Sequence, residues 1–321
     1  PQADQEKAPD RIGDAIGGFS FRAIGPALMS GRISDLAVNP EHPNVWYVAA
    51  GSGGLWKTLN AGTTFQPVFD GQGSYSIGCV SLDPQRSETV WVGSGEAVGG
   101  RHVGFGDGVY RSLDGGSSWK NLGLKQSEHI AKIVVDPRDS QVVRVAAQGP
   151  LWSPGGERGL YKSVDGGASW SCALAKGEFT GCTDVALDPR DPDVVYAALH
   201  QRHRTAWALL NGGPESGVHK SVDGGATWTE LHGGLPGDDK GKIGLAISPQ
   251  EPDVIYATIE LAGRKGGFWR SANGGASWKK MSDYVGGGTG PHYYQELFPD
   301  PHRFDSLYQA NVVLGRSDDG G

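Results

Sequence analysis

One eight-residue phrase recurs along this chain, and its spacing limits the fold more than any other feature. Ser112-Leu-Asp114-Gly-Gly116-Ser-Ser118-Trp119 returns as Ser163-Val-Asp165-Gly-Gly167-Ala-Ser169-Trp170, as Ser221-Val-Asp223-Gly-Gly225-Ala-Thr227-Trp228 and as Ser271-Ala-Asn273-Gly-Gly275-Ala-Ser277-Trp278. A weaker copy, Thr58-Leu-Asn60-Ala-Gly62-Thr-Thr64-Phe65, precedes them, and a sixth starts at Ser317-Asp-Asp319-Gly-Gly321. The copies begin at positions 58, 112, 163, 221, 271 and 317. A period of roughly 50 residues is the length of one four-stranded sheet in a radial repeat.

The segments between copies divide alike. Apolar runs at 33–38, 77–82, 130–135, 183–187 and 243–247 read as a first strand (A). A second strand (B) is expected at 45–50, 89–93, 142–147, 194–199 and 254–259, and a third (C) at 55–58, 109–112, 160–163, 218–221 and 268–271. Strand D is expected to start at Phe65, Trp119, Trp170, Trp228 and Trp278. Alternating β-branched and aromatic residues, punctuated by Gly, Pro and Asp every few residues, form the all-β pattern. The 52 glycines show no Gly-X-Y period, so they serve turns rather than a collagen helix. The fold expected is an all-β propeller of four-stranded antiparallel blades, with the phrase, an Asp box, closing each C–D hairpin.

The phrase suits that hairpin. An Asp or Asn side chain accepts bonds from turn amides, and glycine supplies the positive φ of a tight turn. The aromatic ring that follows can bury on the order of 150–250 Å². Asn60, Asp114, Asp165, Asp223, Asn273 and Asp319 are therefore assigned to architecture, since a device repeated six times is scaffold rather than a single reaction centre.

Blades are expected near 33–69, 75–122, 129–174, 181–232, 242–281 and 293–321, with 1–18 as an N-terminal extension. Phe21-Arg-Ala-Ile24-Gly25 resembles Trp119-Lys-Asn-Leu122-Gly123, so residues 20–26 are expected to act as a closing strand beside strand C of the last blade. The chain starts Pro1-Gln2-Ala3-Asp4 and stops inside an Asp box, and it is expected to be part of a larger propeller protein.

Several function classes receive no support. Net charge is −7 and no basic stripe exists, so nucleic acid is not an expected partner. No apolar run is long enough to span a bilayer. Cys79, Cys172 and Cys182 match neither a disulfide framework nor zinc spacing and read as packing residues. His200 and His203 lack a third ligand, and Gly51-Ser-Gly-Gly54 lacks the Lys-Ser/Thr of a phosphate loop. No metal or cofactor is expected.

Strand alternation puts the A–B and C–D turns on one face and the B–C and D–A connections on the other. The first face is uniform. On the second, the B–C connections 51–54, 94–108, 148–159, 200–217 and 261–267 differ in length and chemistry. Irregular loops on a rigid scaffold are where binding residues gather. The ligand-binding candidates are Arg32, Arg101, His102, Trp152, Arg158, His200, Arg202, Arg204, Trp207, His292, Tyr293 and Tyr294. The D–A connections also hold Glu128, His129 and Glu178. Such a mixture suits a polar, hydroxyl-rich or anionic ligand, with a tryptophan stacked on a sugar face. Hydrolysis of a glycoside needs two carboxyl groups about 5–5.5 or 6.5–9.5 Å apart. The catalytic candidates are Glu96, Asp107 and Glu157.

With its repeats laid out, the chain resembles the bacterial WD40/YVTN/BNR-like Asp-box propellers, often labelled glycosyl hydrolase or VPS10/sortilin-N-terminal-domain-like. The resemblance rests on Phe21-Arg-Ala-Ile-Gly-Pro26, Gly53-Gly-Leu-Trp-Lys-Thr58, Gly93-Ser-Gly-Glu96, Gly106-Asp-Gly-Val-Tyr-Arg-Ser112 and Glu157-Arg-Gly-Leu-Tyr-Lys-Ser163. It implies a secreted, periplasmic or cell-surface protein with further blades. Asp boxes occur in sialidases, xyloglucanases, sortilin receptors and photosystem assembly factors alike, so fold carries over and function does not. Of the sialidase pattern only Gly31-Arg32-Ile33 resembles an arginine motif. The leading expectation is an extracytoplasmic propeller that binds a glycan, a peptide or a protein on its loop face. The alternatives are a sialidase- or xyloglucanase-like glycoside hydrolase using loop-face carboxylates, and a structural propeller subunit of a larger assembly.

Overall fold

The computed structural model describes residues 31–284, 294–311 and 313–321. The expected extension 1–18 and closing strand 20–26 lie outside them. Blade 1 comprises β1 (Ile33–Val38), β2 (Trp46–Ala50), β3 (Gly54–Thr58) and β4 (Gln66–Pro67). Blade 2 comprises β5 (Ile77–Asp83), β6 (Arg86–Ser94), β7 (Val109–Ser112) and β8 (Lys120–Asn121). Blade 3 is β9 (Ile130–Asp136), β10 (Asp139–Ala147), β11 (Gly159–Ser163) and β12 (Ser171–Leu174). Blade 4 is β13 (Thr180–Leu187), β14 (Val195–Arg204), β15 (Leu209–Asn211), β16 (Gly217–Ser221) and β17 (Thr229–Glu230). Blade 5 is β18 (Lys240–Ile247), β19 (Ile255–Leu261), β20 (Gly267–Ser271) and β21 (Lys279–Ser282); blade 6 is β22 (Glu296–Pro299), β23 (Leu307–Ala310) and β24 (Gly315–Ser317). Each sheet is antiparallel and ordered as in sequence, apart from β15, which pairs with the far end of β14. The six sheets form a six-bladed β-propeller, and the only helical pieces among the described residues are two 3-10 turns.

Blades stack face to face. β5 packs on β1 and β2, β9 on β5 and β6, β13 on β9 and β10, β18 on β13 and β14, and β22 on β18 and β19. Each interface is a separate apolar cluster, such as Tyr47, Leu55, Phe69, Ile77, Val90 and Val92 between the first two blades.

The repeated turn works as its chemistry requires. The Ser112 hydroxyl donates to Asp114 at 2.7 Å and accepts the Gly116 amide at 2.8 Å. Asp114 accepts the Ser118 amide and hydroxyl at 2.8 and 2.6 Å. These donors, the Ser118 hydroxyl first, lower the carboxyl pKa of Asp114 to about 2, and Asp165 follows suit. Gly115 and Gly116 sit at φ 67° and 92°, whereas Ala61 of the weakest copy must adopt φ 53°. The aromatic residue stands just before strand D rather than opening it. Trp278 is buried, Trp119, Trp170 and Trp228 are half-buried, and Phe65 is exposed.

Two ladders then tie the turn face together. Within each blade the C–D turn bonds to the A–B turn: Ala61 N to Asn44 O, Gly115 N to Glu88 O, Gly166 N to Gln141 O, Gly224 N to Asp193 O, Gly274 N to Asp253 O and Gly320 N to Asp305 O, all at 2.8–2.9 Å. Between blades, the cation that ends strand C donates to the turn carbonyl of the next blade. Lys57 reaches Gly115 O (2.8 Å), Arg111 reaches Gly166 O (2.6 Å), Lys162 reaches Gly224 O (2.8 Å) and Lys220 reaches Gly274 O (2.8 Å). Arg270 instead pairs with the Asp305 carboxylate of blade 6 at 3.1 Å.

Candidate functional site

The axis is lined by the A strands. A β-bulge near the start of the A strand places one residue at the same register position, Asp35 in β1, Cys79 in β5, Lys132 in β9 and Asp184 in β13, and Glu296 takes that position in β22 without a bulge. Asp35, Lys132, Asp184 and Glu296, together with Lys242 of β18, line an axial cavity of about 60 Å³. Lys132 donates to Asp184 at 2.6 Å. Asp35 accepts the Val80 amide at 2.9 Å and Asp184 the Leu245 amide at 2.8 Å, so each carboxylate clips its own blade to the next. Burial, then the nearby Asp35 carboxylate, raises the Glu296 carboxyl well above the ordinary range. None of these residues was a candidate from sequence. The available signal was a charge inside an otherwise apolar run, as in Ile33-Ser-Asp35 and Ile130-Ala-Lys132.

On the loop face the mouth of this channel is filled by the connection 95–107. Its carbonyls are taken one after another. His129 Nδ1 lies 2.9 Å from Glu96 O, Lys242 donates to Ala97 O at 3.0 Å, Arg202 to Val98 O at 3.0 Å, and Arg204 to Gly99 O at 2.8 Å. Glu96 is fully buried beneath: its carboxylate accepts Arg32 Nε at 2.6 Å and the Tyr294 hydroxyl at 2.5 Å, with a second ion-pair contact from Arg32. Gly51 must lack a side chain here, because a Cβ would fall 2.5 Å from the Glu96 carboxyl carbon.

The expected loop 200–217 is mostly a hairpin instead. β14 continues to Arg204 and pairs with β15, Arg202 opposite Asn211. Hence His200, Arg202 and Arg204 are strand residues with buried side chains. Arg202 also donates to Gly149 O at 3.3 Å, and Arg158 is buried with its guanidinium on the carbonyls of Gly155, Gln148, Pro150 and Ser153. These three arginines brace loops. Burial lowers Arg202 to about 9 and Arg158 to about 10, and it drives His129 and His200 well below their ordinary value. Asp107 is bonded by the Tyr110 hydroxyl and by Ser94, and Glu157 accepts the Gln126 amide at 2.8 Å. His292 and Tyr293 lie outside the described residues.

Of the candidates, those that face solvent gather in a corner beside blades 3 and 4. Trp207 is 86% exposed at the tip of the β14–β15 hairpin, and Trp152 is 38% exposed. Leu151 O accepts the Arg204 amide at 2.9 Å, which brings the loop of Trp152 against the base of the Trp207 tip. Arg101 donates to Ala206 O at 3.3 Å and closes the third side, with His102 exposed next to it. Two carboxylates belong to the elements that carry or adjoin Arg158 and Arg202. Glu128 is half-buried at φ 60°, close enough to Arg158 and Arg202 to feel both, and burial raises its carboxyl pKa. Gln126, two residues away, is the partner of Glu157 in both directions. Glu128 was read from sequence only as a member of a connection; its left-handed backbone is visible in three dimensions alone. Among the described residues, no cluster of His, Cys, Asp and Glu is arranged to hold a metal ion.

No protein-family model matches the chain. A xyloglucanase of a Paenibacillus species is 30% identical over 270 residues, covering 83% of this chain and 22% of that protein. The xyloglucanase of Hypocrea jecorina is 29% identical over 198 residues, covering 57% of this chain and 20% of its own length. The chain thus spans only a minor part of the curated relatives it matches. Among solved structures, the GH74 xyloglucanase from Xanthomonas campestris superposes with a TM-score of 0.66 at 19% identity, over 90% of this chain and 45% of the other. YCF48 from Cyanidioschyzon merolae gives 0.57 at 19% identity, over 92% and 84%. At such identities these two structures share a fold with the chain, while its sequence relatives are xyloglucanases.

Proposed function

We propose that this propeller engages a xyloglucan-like polysaccharide on its loop face as part of a glycoside hydrolase. The carrying observation is the 270-residue, 30% identical alignment with a xyloglucanase, which covers most of the propeller. The corner supports the reading. Trp152 and Trp207 offer two exposed aromatic faces for stacking on sugar rings, and Arg101 and His102 offer donors for hydroxyl groups. Among the carboxyls near that corner, Glu128 has the character of a general acid, because burial favours its protonated form. Glu157 is tied to Gln126, two residues before Glu128. Glu96 suits neither role, being buried and ion-paired with Arg32. The reading carries with it a workplace outside the cytoplasm, where such polysaccharides are found.

The test uses the whole protein on a panel of soluble polysaccharides, including xyloglucan and unbranched β-glucan. Trp207→Ala is expected to weaken xyloglucan binding about tenfold or more, on the scale of one lost stacking contact of about 1.4 kcal/mol, with an unchanged melting temperature. Glu128→Gln that abolishes reducing-sugar release while binding persists assigns the acid to this corner. Unchanged turnover in that variant moves the acid elsewhere in the protein. Absence of both binding and release across the panel defeats the glycan reading and favours a propeller that docks on another protein.

A further inference from the structure

Seven arginines of this chain pair with carboxylates: Arg32, Arg138, Arg144, Arg190, Arg270, Arg303 and Arg316. On the loop face two guanidiniums are brought together without one. Arg204, in β14, donates from Nε to Gly99 O at 2.8 Å. Arg101, two residues beyond Gly99, donates from Nη2 to Ala206 O, two residues beyond Arg204, at 3.3 Å. This reciprocal clasp uses one nitrogen of each fork. Among the described residues, both terminal nitrogens of Arg204 and the Nε and Nη1 of Arg101 take no partner. Arg204 is only 7% exposed, yet its terminal nitrogens stay open at the surface. Glu128 acts on Arg158 and on Arg202, but no carboxylate acts on Arg204. Burial, and then the like charge of Arg101, lower its pKa.

Two like charges fixed side by side in a partly desolvated place repel, and an anion seated between them turns repulsion into attraction. A guanidinium fork matches the two oxygens of a carboxylate. Both forks are tethered before any ligand arrives, Arg204 by its strand and Arg101 by the clasp, so little order is lost on binding. His102 lies beside them with its ring against Gly100, where a Cβ would fall 2.5 Å from His102 Cε1. Trp207 follows Ala206, the residue that Arg101 holds, and is the most exposed aromatic of the corner. A sugar ring stacked on that indole carries its edge groups toward the two forks.

We infer that Arg101 and Arg204 form a carboxylate clamp, and that the polysaccharide taken at this corner bears uronate residues. The inference rests on the polysaccharide reading above and adds a charge to its ligand. A uronate carries its planar, two-oxygen acceptor on the sugar ring itself, the arrangement that a fork beside an aromatic face requires. A neutral glycan at the same place shields both guanidiniums from water and leaves them unpaired.

The test measures binding of the complete natural protein, by titration calorimetry at low ionic strength, to three forms of one soluble xyloglucan. These are the neutral polymer, the polymer with its primary hydroxyls oxidised to carboxylates, and the polymer sulfated to the same charge density. The oxidised form is expected to bind about tenfold or more tightly than the neutral one, a preference that fades as salt is raised. The chain's net charge of −7 gives no general attraction to polyanions, so such a preference is local. Arg101→Gln should cut the oxidised-to-neutral ratio to about threefold or less, with an unchanged melting temperature. Arg204→Lys keeps the charge without the fork and should lower the ratio as well. The ratio within one protein is the readout, so a general loss of binding does not mimic the effect. Equal affinity for the neutral and oxidised forms, with both bound, overturns the inference and leaves the polysaccharide reading standing. A ratio that survives Arg101→Gln overturns it too, as does a preference for the sulfated form over the oxidised one. Binding to none of the three defeats the polysaccharide reading itself, and the clamp with it.

Discussion

The two faces of the propeller use the same kinds of residue in opposite ways. On the turn face, Lys57, Arg111, Lys162 and Lys220 perform one task, each bonding a turn carbonyl one blade on. On the loop face, Arg158 braces its own loop, Arg202 bridges that loop to the connection 95–107, and Arg204 holds the next carbonyl of the same connection. Repetition spreads the load on the first face, so each contact is one of several equivalents. On the second face each contact is the sole one of its kind, and most are buried. Losses there are expected to be larger.

The largest expected effect is acid destabilisation confined to the loop side. His129 and His200 are held neutral by burial, His129 next to Arg202 and His200 next to Arg202 and Lys242. The unfolded chain binds protons on them near 6.5, the folded chain only far lower, so the unfolded state holds more protons in between. Their contribution is therefore complete above pH 6.5 and falls as pH drops below it. Asp114 and Asp165 titrate near 2, so the turns keep their charge through that range. Hydrogen exchange at pH 5 should show the 95–107 connection opening before the turns, and His200→Leu should flatten the pH slope. Simultaneous loss of both faces breaks the comparison.

Trp278→Ala should cost about 3–5 kcal/mol, as large-to-small changes at buried rings do, and Phe65→Ala, at the exposed copy, about 1 kcal/mol or less. Urea midpoints decide; equal losses mean that the copies are not graded by burial. Arg202→Met strands the carbonyls of Val98 and Gly149 and should cost about 2–4 kcal/mol, with new protease cleavage near Gly99 and Gly100. Lys220→Met removes one partly solvated bond to Gly274 O and should cost about 1 kcal/mol. If Lys220→Met proves the worse of the two, redundancy does not protect the turn face.

Legibility in the sequence follows the same division. Strand β1 matches the expected 33–38, and the other A strands differ only by a few residues at their ends, because apolar alternation and turn chemistry are local properties. The B–C connections differ from one another as expected, except that 200–217 is largely the β14–β15 hairpin, and the surroundings of their side chains are not local. His200, Arg202 and Arg204 look like solvent-facing binders in a stretch so rich in charge, yet they continue β14 and point inward. Partners more than a hundred residues away, Val98 and Gly99, decide this, and no local pattern encodes them. Glu96 was singled out for its carboxylate and is spent on Arg32 and Tyr294. Trp152 and Trp207 stayed exposed for a local reason: each sits at a bend with no strand to bury it.

The filling of the channel mouth also sets an order of events. Nearly every contact between blades joins neighbours in sequence, so the molecule can assemble by successive addition, each sheet templating on the last. The connection 95–107 departs from that rule. It leaves blade 2, yet its anchors are Arg202 and Arg204 of blade 4 and Lys242 of blade 5. Glu96 can pair early with Arg32, but the carbonyls of Ala97, Val98 and Gly99 must wait while about a hundred or more further residues emerge. Seating of the connection then fastens sheets that are not adjacent, turning a series of nearest-neighbour steps into one cooperative closure.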